Sequence, residues 1–264
     1  MTEAAALAVS AKTYAESRAE PLRFGVADWM ACAAGMETQE DWLAWARGEP
    51  RPAMALSQPA PLPPLLRRRV SAIGQMAFRA VNGLAPVPRA RFVFCSRHGE
   101  YRRTKALLDA VAAREAPSPA EFSLSVHNAL AGLLSIARNN EAGHTAVAAG
   151  SDSFGFGLLE SVACLAAKPD EPVLLVYYDE PLPDVYADFR DGEEATLALA
   201  LLLTPGRGDG SDLLVSCETK RTDDPARPPP TAQALDFLRF LLSGENERST
   251  PGGILCWRWR RAAA

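Results

Sequence analysis

The chain has 264 residues, 48% hydrophobic and 23% charged, the balance of a soluble globular protein with apolar residues enough for one generous core. Its net charge of −4 argues against nucleic acid as a partner, because phosphate binding needs a basic face. The longest apolar run, Ala195 to Leu203, falls far short of the ~20 residues of a membrane span, and the first twenty residues carry Glu3, Lys12, Glu16, Arg18 and Glu20 where a secretory signal would be unbroken and apolar.

Residues 1–20 read as a flexible tail and 21–264 as a single domain. Arg23 to Met30 is predicted as a strand with Phe24, Val26 and Trp29 inside, and Gln39 to Ala46 as a helix. The prolines between Pro50 and Pro64 demand an extended loop. Leu65 to Val81 has helical periodicity through Leu66, Val70, Ile73, Met76, Ala77 and Ala80. Strands and helices then alternate. Strands are expected over Arg91–Ser96, Phe122–Val126, Thr145–Gly150 and Pro172–Tyr178. Helices are expected over Tyr101–Ala113, with Leu107, Leu108 and Val111 on one face, and over Ala129–Arg138 and Phe154–Ala167. This alternation predicts an α/β fold, a mixed, mostly parallel sheet with helices on both faces. Ala195–Leu203 and Asp212–Lys220 read as two further strands, and Ala232–Leu242 as an amphipathic helix. Gly253–Arg261 reads as a last strand, Trp257 and Trp259 on one face and Arg258 and Arg260 on the other.

Five cysteines, Cys32, Cys95, Cys164, Cys217 and Cys256, form no C-x-x-C pair and fit free thiols in a reducing cytoplasm. The histidines His98, His127 and His144 form no set at ligand spacing, so neither metal nor another cofactor is expected.

The stretch Phe122 to Gly132 reads as a short strand running straight into a small-residue helix. Such a junction often holds a nucleophile, because the helix amino terminus lowers a thiol's pKa and binds a developing oxyanion. Here the sequence resembles the β-ketoacyl synthase family of the thiolase fold, in which a strand ends in a small turn, a cysteine nucleophile follows and a small-residue helix begins. The resemblance lays that cysteine's place on Asn128, beside His127. It is carried further by Leu62-Pro63-Pro64-Leu65-Leu66-Arg67-Arg68-Arg69, by Ser96-Arg97-His98-Gly99-Glu100 and by Ser118-Pro119. Ser125-Val126-His127-Asn128, Val147 to Asp152 and Asp179-Glu180-Pro181-Leu182-Pro183 add to it. These blocks are similar to short synthase-like proteins of aryl-polyene-type clusters.

An asparagine cannot form the acyl thioester of the condensation. The family's catalytic histidines lie in a second half that this chain is too short to contain, and no histidine follows His144. The resemblance therefore implies a half-length, non-catalytic subunit of the chain-length-factor type. Its implied partners are a full-length β-ketoacyl-ACP synthase, as a heterodimer, and acyl carrier protein. Leu130, Leu133 and Leu134 become candidates for lining an acyl tunnel, and Arg67, Arg68 and Arg69 for docking the acidic carrier or the partner subunit.

Plainer roles compete with these. Asn128 is a good helix N-cap, and His127 could hydrogen-bond a backbone carbonyl. The three leucines could be ordinary helix core, and the arginines a solvated face. Cys95, within an apolar strand, reads as a packed core thiol. Arg97-His98-Gly99 after the strand Phe92-Val93-Phe94 also resembles a histidine phosphatase, in which the histidine accepts the phosphoryl group and the arginine clamps it. That family needs a second histidine just after a later strand, whereas His144 precedes its strand.

Overall fold

The computed structural model describes residues 20–49, 62–87, 89–190, 195–220 and 232–263. In chain order the elements are β1 (Leu22–Cys32), α1 (Gln39–Ala46), α2 (Pro64–Arg67), α3 (Ala72–Asn82), β2 (Arg91–Cys95), α4 (Tyr101–Ala112), α5 (Pro119–Leu124), α6 (Ala129–Arg138), β3 (His144–Val147) and α7 (Ser153–Ala167). Then come β4 (Val173–Asp179), a 3-10 segment (Asp184–Phe189), β5 (Leu197–Pro205), β6 (Leu213–Thr219), α8 (Gln233–Ser243), β7 (Glu247–Pro251) and β8 (Leu255–Arg261). The expected tail and most of the Pro50–Pro64 loop lie outside the described residues.

The strands form one sheet of eight in the order β3-β2-β4-β5-β1-β6-β8-β7. The sheet is mixed, as expected, but among the described strands five of seven pairings are antiparallel. Parallel pairing is confined to β2 with β3 and with β4, the part fed by crossover helices. Beyond β4 the described residues hold only the short 3-10 segment before β5, and the chain returns antiparallel.

Strand alternation sorts the core into two layers. Val93, Cys95, Leu175, Tyr177, Leu199 and Leu201 face α1, α7 and α8, together with Trp257 and Trp259. Phe92, Phe94, Leu174, Val176, Tyr178, Ala198 and Ala200 face α2, α3 and α6. Every residue of β4 is buried, so this strand lies at the centre. At about 1.5–3 kcal/mol per large apolar side chain, these layers are the main favourable term in folding.

The long periodic stretch from Leu65 is two helices. Ser71 caps α3 by accepting from the Gly74 amide at 3.1 Å, and this cap ends α2. The predicted strand over Phe122–Val126 is a helix, α5. Ser118 accepts from the Glu121 amide and Pro119 occupies the first helical position, two start signals that outweigh the alternation of Phe122, Leu124 and Val126. Edge strand β7 has a polar sequence with no apolar alternation and escaped the reading.

Candidate functional site

With α5 in place of a strand, Asn128 does not sit at a strand-to-helix junction. Its backbone is already helical (φ −87°, ψ −3°) and its side chain makes no capping bond, so the capping expectation fails as well. The Gly132 amide bonds to the Asn128 carbonyl, which continues the helical path from the α5 side. Leu130, Leu133 and Leu134 are 2%, 7% and 1% exposed and packed on the sheet as core. The exposed apolar side chains of α5, α6 and the turn between them include Phe122, Val126 and Ile136.

A strand, a small turn and a small-residue helix do occur together, at β3 and α7. After Val147 the chain turns through Ala149 and Gly150, the latter at φ +58°, where glycine is at ease. Ser153 closes the turn, its Oγ accepting from the Ala149 amide at 2.9 Å and donating to the Gly150 carbonyl at 2.7 Å. Between them stand Gly150, Ser151 and Asp152, and none is a thiol.

Asp152 is 2% exposed and holds the junction to the carboxy-terminal strands. Its Oδ1 accepts from Trp257 Nε1 at 2.8 Å and Gln233 Nε2 at 3.2 Å, and its Oδ2 from the Ile254 amide at 2.9 Å. Three amides at the helix start are likewise engaged. Asp152 N–H donates to Ala149 O, Ser153 N–H to Gly150 O, and Gly155 N–H to Gln233 Oε1 at 3.1 Å. Gly155 and Gly157 let α7 lie flat, since a Cβ would come within 2.2 Å of the Trp257 ring and 2.6 Å of Cys95 Sγ. Cys95 is buried under α7, its thiol pushed far above the ordinary range first by burial and then by the Asp179 charge. It is the packed core thiol expected.

A second cluster gathers at the carboxyl ends of β2 and β4. Asp179, 6% exposed, accepts from Ser96 Oγ at 3.1 Å, the Arg97 amide at 2.7 Å and the His98 amide at 3.0 Å. Burial drives the Asp179 carboxyl upward, opposed by those amides. Ser96 Oγ also accepts from the Gly99 amide at 2.6 Å, tightening the turn. Gly99 (φ +58°) lies so close to His127 that a Cβ would stand 2.9 Å from its ring. His98 and His127 thus come together, as the sequence alone did not predict. Burial pushes His127 below the ordinary histidine value, with Asp179 opposing, and its buried Nδ1 has no hydrogen-bond partner among the described residues. Its carbonyl accepts from the Tyr178 hydroxyl at 3.4 Å, and its Nδ1 makes no bond to a backbone carbonyl among the described residues.

The phosphatase reading finds no support here. The Arg97 and His98 amides point at a carboxylate where a phosphoryl group would need cationic or neutral donors. His144 opens β3 opposite Phe92, at the far end of the strands from His98.

Arg67, Arg68 and Arg69 are exposed at and just after α2. Arg67 donates to the Leu62 carbonyl at 3.1 Å, and the Arg69 carbonyl accepts from Arg103 at 2.6 Å. Among the described residues no group of histidine, cysteine and acidic side chains could hold a metal, and no helix is long and apolar enough to cross a membrane.

The layered α/β sheet, with its strand-turn-helix junction under a carboxy-terminal buttress, defines a thiolase-like protein. Residues 42–260 match the family model of the β-ketoacyl synthase amino-terminal domain, and the chain belongs to that family. One similar solved structure is a ketosynthase (ApeO) in complex with its chain length factor (ApeC) from Xenorhabdus doucetiae. A chain of that complex is 31% identical, with 91% of this chain and 100% of that chain covered and a TM-score of 0.77. The fold also recurs in the ishigamide ketosynthase/chain length factor, at 14% identity, 93% and 100% coverage and a TM-score of 0.65. It recurs again in a type II polyketide acyl-carrier protein complex with its ketosynthase (AntDE:AntF), at 11% identity, 91% and 100% coverage and a TM-score of 0.63. No curated protein matches the chain.

Proposed function

We propose that the chain is a non-catalytic, chain-length-factor-type subunit that pairs with a full-length β-ketoacyl-ACP synthase in polyketide or fatty-acid-like biosynthesis, aryl polyenes being the favoured product class. The observation that carries this reading is the β3–α7 junction. Where the family's pattern asks for a cysteine between strand and helix, the chain has Gly150, Ser151 and Asp152, and Asp152 is engaged by three internal donors. Of the first amides of α7, which an acyl-transfer enzyme would leave to a developing oxyanion, those of Ser153 and Gly155 bond within the protein. The degenerate nucleophile position belongs at this junction and not at Asn128.

Pairing has a structural basis in the two sheet edges. Edge strand β7 is guarded by Glu247, Arg248 and Pro251, the residue types that prevent edge-to-edge association. Edge strand β3, His144-Thr145-Ala146-Val147, has neither a proline nor a formally charged guard. Beside it runs a shallow groove of about 340 Å³ lined by Val147, Ala149, Phe156, Leu159, Glu160 and Ala163. Such an edge is suited to the partner synthase, with Phe122 and Val126 replacing the three buried leucines as residues to meet the partner or its acyl chain. Carrier docking at Arg67, Arg68 and Arg69 is consistent with their exposure.

The test is co-expression with a full-length ketosynthase from the same gene neighbourhood, followed by native mass determination and a condensation assay. A one-to-one complex whose activity needs both chains is expected. Acylation of this chain alone by acyl-carrier protein, seen as a mass increment, would overturn the non-catalytic reading.

A further inference from the structure

We infer that Glu160 selects the partner at the β3 edge. It requires a lysine or arginine on the facing synthase surface, and it disfavours pairing of two copies of this chain. The inference rests on the chain-length-factor reading and goes on to name the chemistry of the partner surface.

Glu160 is the single charged residue in a groove otherwise lined by Val147, Ala149, Phe156, Leu159 and Ala163. Its carboxylate has one contact among the described residues, from the Cys164 thiol at 3.7 Å, and makes no ion pair there. A cation of this edge, Arg91, donates to Thr145 Oγ1 at 3.2 Å. Arg91 acts on Cys164, one helical turn from Glu160, and is not part of the groove lining. Any partner that covers the apolar groove also strips water from Glu160. A carboxylate buried without a counter-charge is strongly unfavourable, so the partner must bring a cation or lose affinity.

Two copies pairing β3 to β3 about a twofold axis would lay this groove on itself, because an isologous contact repeats the same patch on both sides. The doubled groove would hold two carboxylates and no lysine or arginine. Self-pairing is thereby penalised twice, while a synthase with one cation at the matching place is rewarded. The other occupants of the edge, a second copy or a cation-free partner, are outcomes of the following experiment.

The full chain, as wild type, Glu160→Gln and Glu160→Arg, is measured by native mass spectrometry and analytical ultracentrifugation, alone and with the co-expressed ketosynthase. Glu160 is partly exposed on α7, so the variants should keep the wild-type melting temperature. Wild type alone should be monomeric at micromolar concentration. Glu160→Gln should self-associate at least about tenfold more tightly and bind the synthase roughly tenfold more weakly, and Glu160→Arg should abolish the hetero-complex. Exchange of the facing synthase cation for glutamate should restore binding to Glu160→Arg. If wild type binds the synthase but Glu160→Gln binds equally well and stays monomeric, the inference fails and the subunit reading stands. If wild type alone is a tight dimer and ignores the synthase, the subunit reading fails as well.

Discussion

The carboxylate of Asp152 gathers Trp257, Gln233 and the Ile254 amide around the start of α7, so one residue joins the junction to strands added beyond the parallel part of the sheet. Asp152→Ala should leave two buried donors and a backbone amide unpaired, at about 1–3 kcal/mol for each group that water cannot reach. A loss of roughly 3 kcal/mol or more in chemical denaturation is expected; a loss below about 1 kcal/mol would mean that these bonds do not hold the junction. His127 makes a pH-dependent contribution of definite sign. Its folded-state pKa lies below the ordinary 6.5, so the fold favours the neutral ring. That contribution is present in full above pH 6.5 and is lost as pH falls through the folded value. Asp179 and Glu100, both raised chiefly by burial, act in the opposite direction as pH falls, so the readout must be a difference. His127→Gln should flatten the decline in melting temperature between pH 7 and pH 5 relative to wild type. Parallel pH profiles would refute the buried neutral histidine.

At the level of elements, α4 buries none of its residues, and Leu108 and Val111 are exposed although their periodicity suggests a core face. Polar bonds position α4 instead. Glu100, 5% exposed, accepts from Ser71 Oγ at 2.8 Å and from Arg103 Nε at 3.1 Å. Arg103 also bridges Glu121 of α5 and the Arg69 carbonyl. Arg103→Met would strand the buried Glu100, at a cost of roughly 3 kcal/mol, and hydrogen exchange should quicken first in α4 and α5. Uniform exchange across the molecule would show that Arg103 is not their clamp. Such cross-chain clamps explain what the sequence conceals. Elements with strong local signals, such as α1 with its Thr38–Asp41 capping box and β4 with its apolar run from Val173 to Val176, were legible. Phe122 to Val126 was not, because period-two apolarity was weighed above the Ser118-Pro119 helix start. The expected nucleophile position, Asn128, was tied to that same strand, which does not form. A signal existed in Gly150 with the small residues of α7, but the partners of Asp152 lie 81 to 105 residues away, beyond any local pattern.

For the whole molecule, the asymmetry of the two sheet edges matters most. β7 ends the sheet with charges and a proline, whereas β3 ends it with an open ladder beside an apolar groove. The carbonyls of Gly143 and Val147 accept from the Phe92 and Ser96 amides, so odd-numbered residues of β3 face β2. By the two-residue repeat, Ala146 directs its N–H and C=O outward, toward whatever adds to the sheet. Ala146→Pro therefore removes an outward donor and spares the ladder to β2, the one setting in which an edge strand tolerates proline. If the synthase pairs here, the variant should melt within a few degrees of wild type and bind the synthase at least about tenfold more weakly, the scale expected when a strand-addition contact is broken. Ser249→Pro on the guarded edge strand β7 is the control and should leave binding unchanged. Full binding by Ala146→Pro would place the interface elsewhere, with exposed Phe122 and Val126 the next surface to substitute.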